Sequence, residues 1–565
     1  MPLIRKIENN KYSLKISIMG TLANLWQNHR TLVVFVTILI IVIPFLIFYL
    51  RKAKKEHPKG LIAAALSNMG ERFGYYIMNA VLVLFICSKF GISDKTSGLI
   101  FGVFYFLIYV LALPGGIIAD RTQNYKKTII TGIVVMALGY GLLSIPVFSQ
   151  GGGMGWPFVL AMIALLLIAC GNGLFKGNLQ AIVGQLYDDF EAEAAKKGPE
   201  ALAAAKEKRD SGFQIFYVFI NIGGVIAPFV APIIREWYLK TRGLIYNADL
   251  PRLCHKFIMD TMEGNDMANL TQLSGGANLD TFCQNYLQVY NTGVHYSFIV
   301  SVLAMLISLC IFVAVKHKLP NPVKKVKAEV QEYTEAERAA DAKEIKQRMA
   351  ALYAVLGIAV FFWLSFHQNA QSLTIFARDF LDTSALPPEI LQFINPFFVI
   401  VLTPIVMWIF ASLARKGKEV STPRKIALGM FIAACAYIFL IIIAVAHNYP
   451  SGDAFKALPE AEKASMKTGQ WVMIVTYFFL TVAELFISPL GLSFVSKIAP
   501  RHMVGMCQGL WLSATAIGNL LIFLGVRMLN SFPHQWMTWG VFALICLTSM
   551  GIMLGMLKWL ERVAK

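Results

Sequence analysis

The chain has 565 residues, 57% of them hydrophobic and only 15% charged, and its mean hydropathy is +0.59. A soluble globular protein carries nearer a quarter charged residues, and the repeated apolar runs of about twenty residues define an all-α polytopic membrane protein instead. The net charge of +18 does not mark a nucleic-acid surface, because Lys and Arg sit in short connectors between apolar runs.

Hydropathy predicts spans at about 31–50, 60–89, 95–118, 125–147, 157–184, 213–236, 294–316, 349–380, 389–412, 424–447, 470–497, 503–529 and 535–559. The first is not a cleavable signal peptide. It is long enough to span and ends in Arg51-Lys52-Ala53-Lys54-Lys55, not in a small-residue cleavage site. Connectors around Arg51–Lys59, Arg121–Lys127, Lys196–Arg209, Lys316–Arg348, Arg415–Lys425, Lys497–Arg501 and Lys558–Lys565 fall on one side and hold most of the Lys and Arg. That side is expected to be the cytoplasm of a cell (inner) membrane, with the N-terminus outside and the C-terminus inside.

This alternation divides the chain into four parts. Residues 1–59 form an extension with one extra transmembrane helix. Residues 60–318 form a first six-helix bundle with an outer connector at 238–292. A charged cytoplasmic linker helix at 319–348 leads into a second six-helix bundle at 349–565. The outer connector carries Cys254 and Cys283 in an oxidising setting, which makes a disulfide between them an expectation.

Few ionisable residues are read inside the spans: Glu71, Arg72, Lys176, His367 and Glu484. On a helix Asn68, Arg72, Tyr75 and Asn79 fall in one line, with Glu71 and Tyr76 beside it. A charge facing lipid costs from about 2.5 to more than 10 kcal/mol, so such residues belong against a wet cavity or against each other. Asn172 and Lys176 lie one turn apart among Gly171, Gly173 and Gly177, small residues that let a neighbouring helix approach. His367 shares a face with Gln371, and Glu484 with Ser488, ahead of the helix-breaking Pro489. Arg72 and Lys176 belong to the first half and Glu484 to the second, so a zwitterion such as an amino acid or short peptide could bridge them near the midplane. Single aromatics such as Trp363 and Trp511 are more often packing or interface residues than ligand contacts. Gly171-x-Gly-x-x-Lys176 lacks the ending of a phosphate loop, and no Cys or His spacing suggests a metal.

Several stretches resemble, in order along the chain, the proton-dependent oligopeptide transporters of the major facilitator superfamily. They are Glu71-Arg72-Phe73-Gly74-Tyr75-Tyr76, Gly115-Gly116-Ile117-Ile118-Ala119-Asp120-Arg121, Gly171-Asn172-Gly173-Leu174-Phe175-Lys176, Phe216-Tyr217-Val218-Phe219-Ile220-Asn221, Asn395-Pro396-Phe397, Glu484-Leu485-Phe486-Ile487-Ser488-Pro489 and Gly509-Leu510-Trp511. The resemblance implies two six-helix bundles that import di- and tripeptides with protons by alternating access, without a cofactor and as a monomer. It implies that Arg72 and Lys176 take the peptide carboxylate and Glu484 the amino terminus. Tyr75, Tyr76, Tyr109, Asn221 and Asn395 would supply hydrogen bonds, with Trp363, Ser488 and Trp511 completing the substrate wall. Asp120 and Arg121 would form an inner gate element.

Departures bear on proton coupling. Asn68 and His367 stand where the family commonly has Glu, Asn79 where it commonly has a basic residue, and Gly177 where Pro is common. The expectation is therefore that Glu71, ionised and paired with Arg72 and Lys176, releases them on protonation, with His367 as a second coupling candidate. Transport of another solute, such as nitrate or a modified amino acid, and a transport-inactive scaffold or sensor are the alternatives.

Overall fold

The computed structural model describes residues 30–148, 155–320, 335–417, 420–498 and 504–563. Its spans are α1 (Arg30–Glu56), α2 (Gly60–Phe90), α3 (Asp94–Thr122), α4 (Tyr125–Ser144), α5 (Trp156–Ala195), α6 (Gly212–Thr241), α7 (Leu279–Lys318), α8 (Glu344–Phe380), α9 (Pro388–Phe410), α10 (Thr422–Ala446), α11 (Trp471–Ile498), α12 (Leu510–Ser531) and α13 (Gln535–Gly555). Every predicted span is present. Several run further than hydropathy suggests, because a helix continues past the hydrocarbon wherever its flanks are good helix formers, as in the Glu- and Ala-rich end of α5.

The outer connector is more helical than expected. Residues 250–258 and 266–274 are short helices, and from Leu279 the chain is already in α7. On the Lys- and Arg-rich side, here called the inner end, one helix runs unbroken from Glu335 to Phe366. The second part of the expected linker helix is thus the start of α8 and not a separate element; residues 321–334 lie outside the described residues.

In the first half α2 packs on α6 and α7, while α4 lies against α5 and α7. In the second half α10 packs on α11 and α13, and α8 on α12. Two seams join the halves, α3 against α12 and α6 against α9. In the most apolar window of α2, 83% of residues are buried, against 17% in α1, so α2 is central and α1 peripheral.

Glycine sets how near the site-bearing helices come. A Cβ on Gly171 would stand 2.6 Å from the Gly132 carbonyl oxygen, and one on Gly132 would stand 2.7 Å from that of Gly171. Backbones of α4 and α5 therefore touch beside Asn172. Gly173 meets the α3 backbone in the same way, whereas Gly177 faces open space. Helix α8 breaks into a 3-10 turn at His367–Ala370, and Gln371 leaves helical geometry at φ −130°, ψ −81°. Broken helices at membrane depth are common where a cavity is lined.

The halves are tied at the outer end. Arg378 grips Asp94 with two hydrogen bonds of 3.0 and 2.8 Å, and Lys456 reaches the same carboxylate at 2.5 Å. Arg235 pairs with Glu389 at 2.6 Å, both wholly buried, and its guanidinium lies 4.1 Å over the Tyr246 ring. Lys95 bonds Asp453 at 3.0 Å, Lys463 bonds Asp249 at 3.1 Å, and Gln371 donates to the Gly98 carbonyl at 2.6 Å. At the inner end Gln214 reaches the Met407 sulfur across the halves in an exposed 3.5 Å contact. This is an outer-closed conformation.

Candidate functional site

The central site grows from α2. Glu71, fully buried, lies 2.8 Å from Arg72 Nε and accepts a 2.7 Å hydrogen bond from the Asn172 amide. The close packing of α5 on its glycines delivers that amide. Lys176, one turn on, does not join the pair: its ammonium sits 4.2 Å over the Tyr109 ring, and no carboxylate contacts it among the described residues. The expected Glu71–Lys176 pairing is thus replaced by Glu71–Asn172, and Lys176 is the cation left open. Arg72 lies 5.2 Å over the Tyr75 ring and keeps its buried Nη2 without a hydrogen-bond partner.

Glu484 stands on the facing half, where Asn395 donates to it at 3.0 Å and also to Thr481. Tyr76 and Tyr109 each lie within electrostatic reach of both Arg72 and Glu484, and Tyr217 within reach of Glu484. Tyr76 and Tyr109 are therefore near both charges, and Glu484 lies on the side of α11 that faces the first half. Above them Tyr75 donates to Asn79 at 3.3 Å. Asn79 donates at 3.4 Å to Gln392, which bonds back to the Ala80 carbonyl and to Thr374, so this chain crosses the halves. Asn221 turns its amide to the carbonyl of Tyr217 at 2.9 Å.

His367, in the α8 break, donates from Nδ1 to the Asn519 side-chain oxygen and stacks on Trp363 at 5.0 Å. Its ring also meets Tyr105 edge-on at 5.7 Å across the α3 seam. Trp363 is therefore a shelf for the imidazole, and Trp511 is buried among core residues. The side chain of Ser488 lies outside the described residues. Asp120 accepts from the Tyr125 hydroxyl on the next helix, and neither Asp120 nor Arg121 forms an ion pair among the described residues. Cys254 and Cys283 are buried and face each other within hydrogen-bonding reach as free thiols.

Sequence reasoning missed the outer seal. Arg235, Arg378 and Asp379 fell inside predicted spans and Glu389 at the edge of one, so their charge alone was a usable signal. What could not be read was that Arg235 and Glu389 pair across the halves, and that Arg378, besides its neighbour Asp379, takes Asp94 of the other half. Outside the seal lies a cavity of about 500 Å³ lined by Asp94, Arg252, His255, Arg378 and Lys456. In the helical cap over it, burial pushes the Asp249 carboxyl up, but Arg252 and Lys463 outweigh this and hold it well below the usual carboxylate range. Burial lowers His255, whose Nε2 donates to the Ser88 carbonyl at 2.7 Å.

Two helical halves about a buried site with cations on one side and a carboxylate on the other are the architecture of a secondary transporter. The POT family model matches residues 126–332 and 315–542, and the chain belongs to the POT family. It is 27% identical to a peptide transporter of Yersinia enterocolitica over 82% of this chain and 86% of that protein. It is 28% identical to dipeptide and tripeptide permease B of Salmonella typhimurium over 90% of this chain and 96% of that one. Among solved structures, a POT family transporter in complex with a thioalcohol-conjugated peptide superposes with a TM-score of 0.63 at 19% identity, covering 91% and 98% of the two chains. A peptide transporter POT in complex with sulfate gives 0.63 at 21% identity, covering 90% and 96%. The fold is that of the major facilitator superfamily.

Proposed function

We propose that the protein imports di- and tripeptides together with protons by alternating access, as a monomer in the cell membrane, with its Lys- and Arg-rich end in the cytoplasm. The observation that carries this reading is the unpaired Lys176 ammonium in the first half, opposite Glu484 in the second. A peptide carboxylate completes Lys176 and the unpartnered Nη2 of Arg72, and the peptide ammonium completes Glu484. A ligand that satisfies charges from both halves stabilises the closed, occluded arrangement. Protonation of Glu71 removes the negative charge that holds Arg72, leaving the guanidinium free for the carboxylate. His367 faces Tyr109 from the second half and lies within electrostatic reach of Lys176, so its charge state would act on that ammonium. The tyrosine hydroxyls lining the gap can bond any peptide backbone, which suits recognition independent of side chain.

The test is dipeptide uptake into proteoliposomes under an imposed pH gradient. Glu484→Gln is expected to weaken peptide affinity by about thirtyfold, the equivalent of roughly 2 kcal/mol for an uncompensated buried charge. Glu71→Gln is expected to abolish accumulation against a gradient while leaving counterflow of peptide intact. If instead His367→Ala abolishes accumulation and Glu71→Gln does not, the coupling group is the imidazole. Normal affinity in Glu484→Gln overturns the charge-clamp reading.

A further inference from the structure

The extra helix α1 lies over one of the two seams. Ile38 and Val42 are its buried apolar residues in the outer half, and they share an apolar cluster with Ile222, Val225 and Phe229 of α6 and Ile390 and Ile400 of α9. Other α1 side chains face outward, Ile40 at 68% exposure and Phe48 at 58%. Phe35 packs on Phe229 at 5.5 Å, and Phe229 on Phe393 at 5.1 Å, which carries the contact from α1 through α6 to α9. Ile390 of that cluster follows Glu389, whose buried pair with Arg235 joins the same two helices. At the outer tip two consecutive residues hold opposite halves. Arg30 donates to the Ser384 carbonyl at 3.2 Å, between α8 and α9, and Thr31 donates to the Glu236 carboxylate of α6 at 3.4 Å. The inner end touches the first half: Ala53 is buried, and His57 Nδ1 lies 2.8 Å from the Tyr187 hydroxyl of α5.

We propose that α1 is a seam clamp, anchored on the first half and reaching across to the second at the outer end, which biases the transporter toward its outer-closed conformation. Lipid is as apolar as Ile or Val, so this contact is held by van der Waals fit and by the polar tip, not by exclusion of water. Opening the outer end must separate α6 from α9, break Arg235–Glu389, and strip α1 from α9 in the same movement. Contacts to α6 and α5 need not change. The asymmetry is the signature of the clamp, and it rests on the alternating-access reading above.

The test uses the full chain carrying Cys310→Ser and one of two cysteine pairs, joined with a short bis-maleimide. Thr31→Cys with Glu236→Cys ties α1 to the first half. Arg30→Cys with Ser384→Cys ties it to the second. Dipeptide uptake is expected to fall about tenfold or more on joining the second pair and to stay within about twofold on joining the first. Equal effects of the two tethers overturn the clamp. A second measurement needs no substrate: Ile38→Ala with Val42→Ala should raise hydrogen exchange of backbone amides at 380–392, and unchanged exchange there also overturns it. Absence of uptake before any cross-linking would strike the transport reading instead, and the exchange result then decides the clamp by itself.

Discussion

Lys176 and Glu71 show how a site is made from charges that do not all cancel. Asn172 gives Glu71 a neutral donor, so one cation suffices for it and the second stays available. Replacing Lys176 with Gln should therefore weaken binding of a peptide with a free carboxylate by about tenfold or more, yet leave binding of its C-terminal amide nearly unchanged. Competition of labelled dipeptide by the two forms measures this directly. Equal losses for both would assign Lys176 a packing role. The helical line through Arg72, Tyr75 and Asn79 was legible from spacing, as was the opposition of Arg72 and Lys176 to Glu484. The choice of Asn172 over Lys176 as the partner of Glu71 was not. Both sit on one helical face, and only the rotation of α5 against α2 decides which arrives.

Among elements, α5 depends on contacts that a single methyl group would block. Gly171→Val puts a branched side chain where the Cβ alone would be 2.6 Å from a backbone oxygen of α4. It should cost about 1–3 kcal/mol and displace Asn172 and Lys176 together, seen as a lower melting temperature in detergent and a loss of peptide affinity. Gly177→Ala, facing open space, is the control and should do neither. The outer cap gives a pH prediction. Because the folded Asp249 carboxyl lies below its unfolded value of about 3.9, its stabilising contribution is complete above that value and is lost as pH falls through the lower one. Amide protection of residues 246–266 should then hold from neutral pH down to about pH 5, and Lys463→Gln should raise the pH at which it fails. In the same cap the Cys254 and Cys283 thiols should form one disulfide on exchange with a disulfide reagent, which takes up their two electrons and two protons. Intact-mass measurement would register the loss of two hydrogens.

At the scale of the whole molecule, the outer seal decides which way the transporter faces. Asp94 is the first-half carboxylate that holds both Arg378 and Lys456, so Asp94→Asn removes their ion pairs across the seal and leaves Arg378 with Asp379 of its own half. The closed-to-open ratio should fall by about thirtyfold, roughly 2 kcal/mol, read as faster hydrogen exchange at 380–392. The number of spans, their order, the charged inner end and the residues of opposite sign in the two halves were all determined by the sequence, because hydropathy and helical periodicity are local properties. Only the tertiary structure decided that Arg235 and Arg378 lock to the opposite half, that Lys176 is left open, and that α1 covers the α6–α9 seam. Each is a contact between residues more than a hundred positions apart, and no local pattern records which helix a charged face will meet.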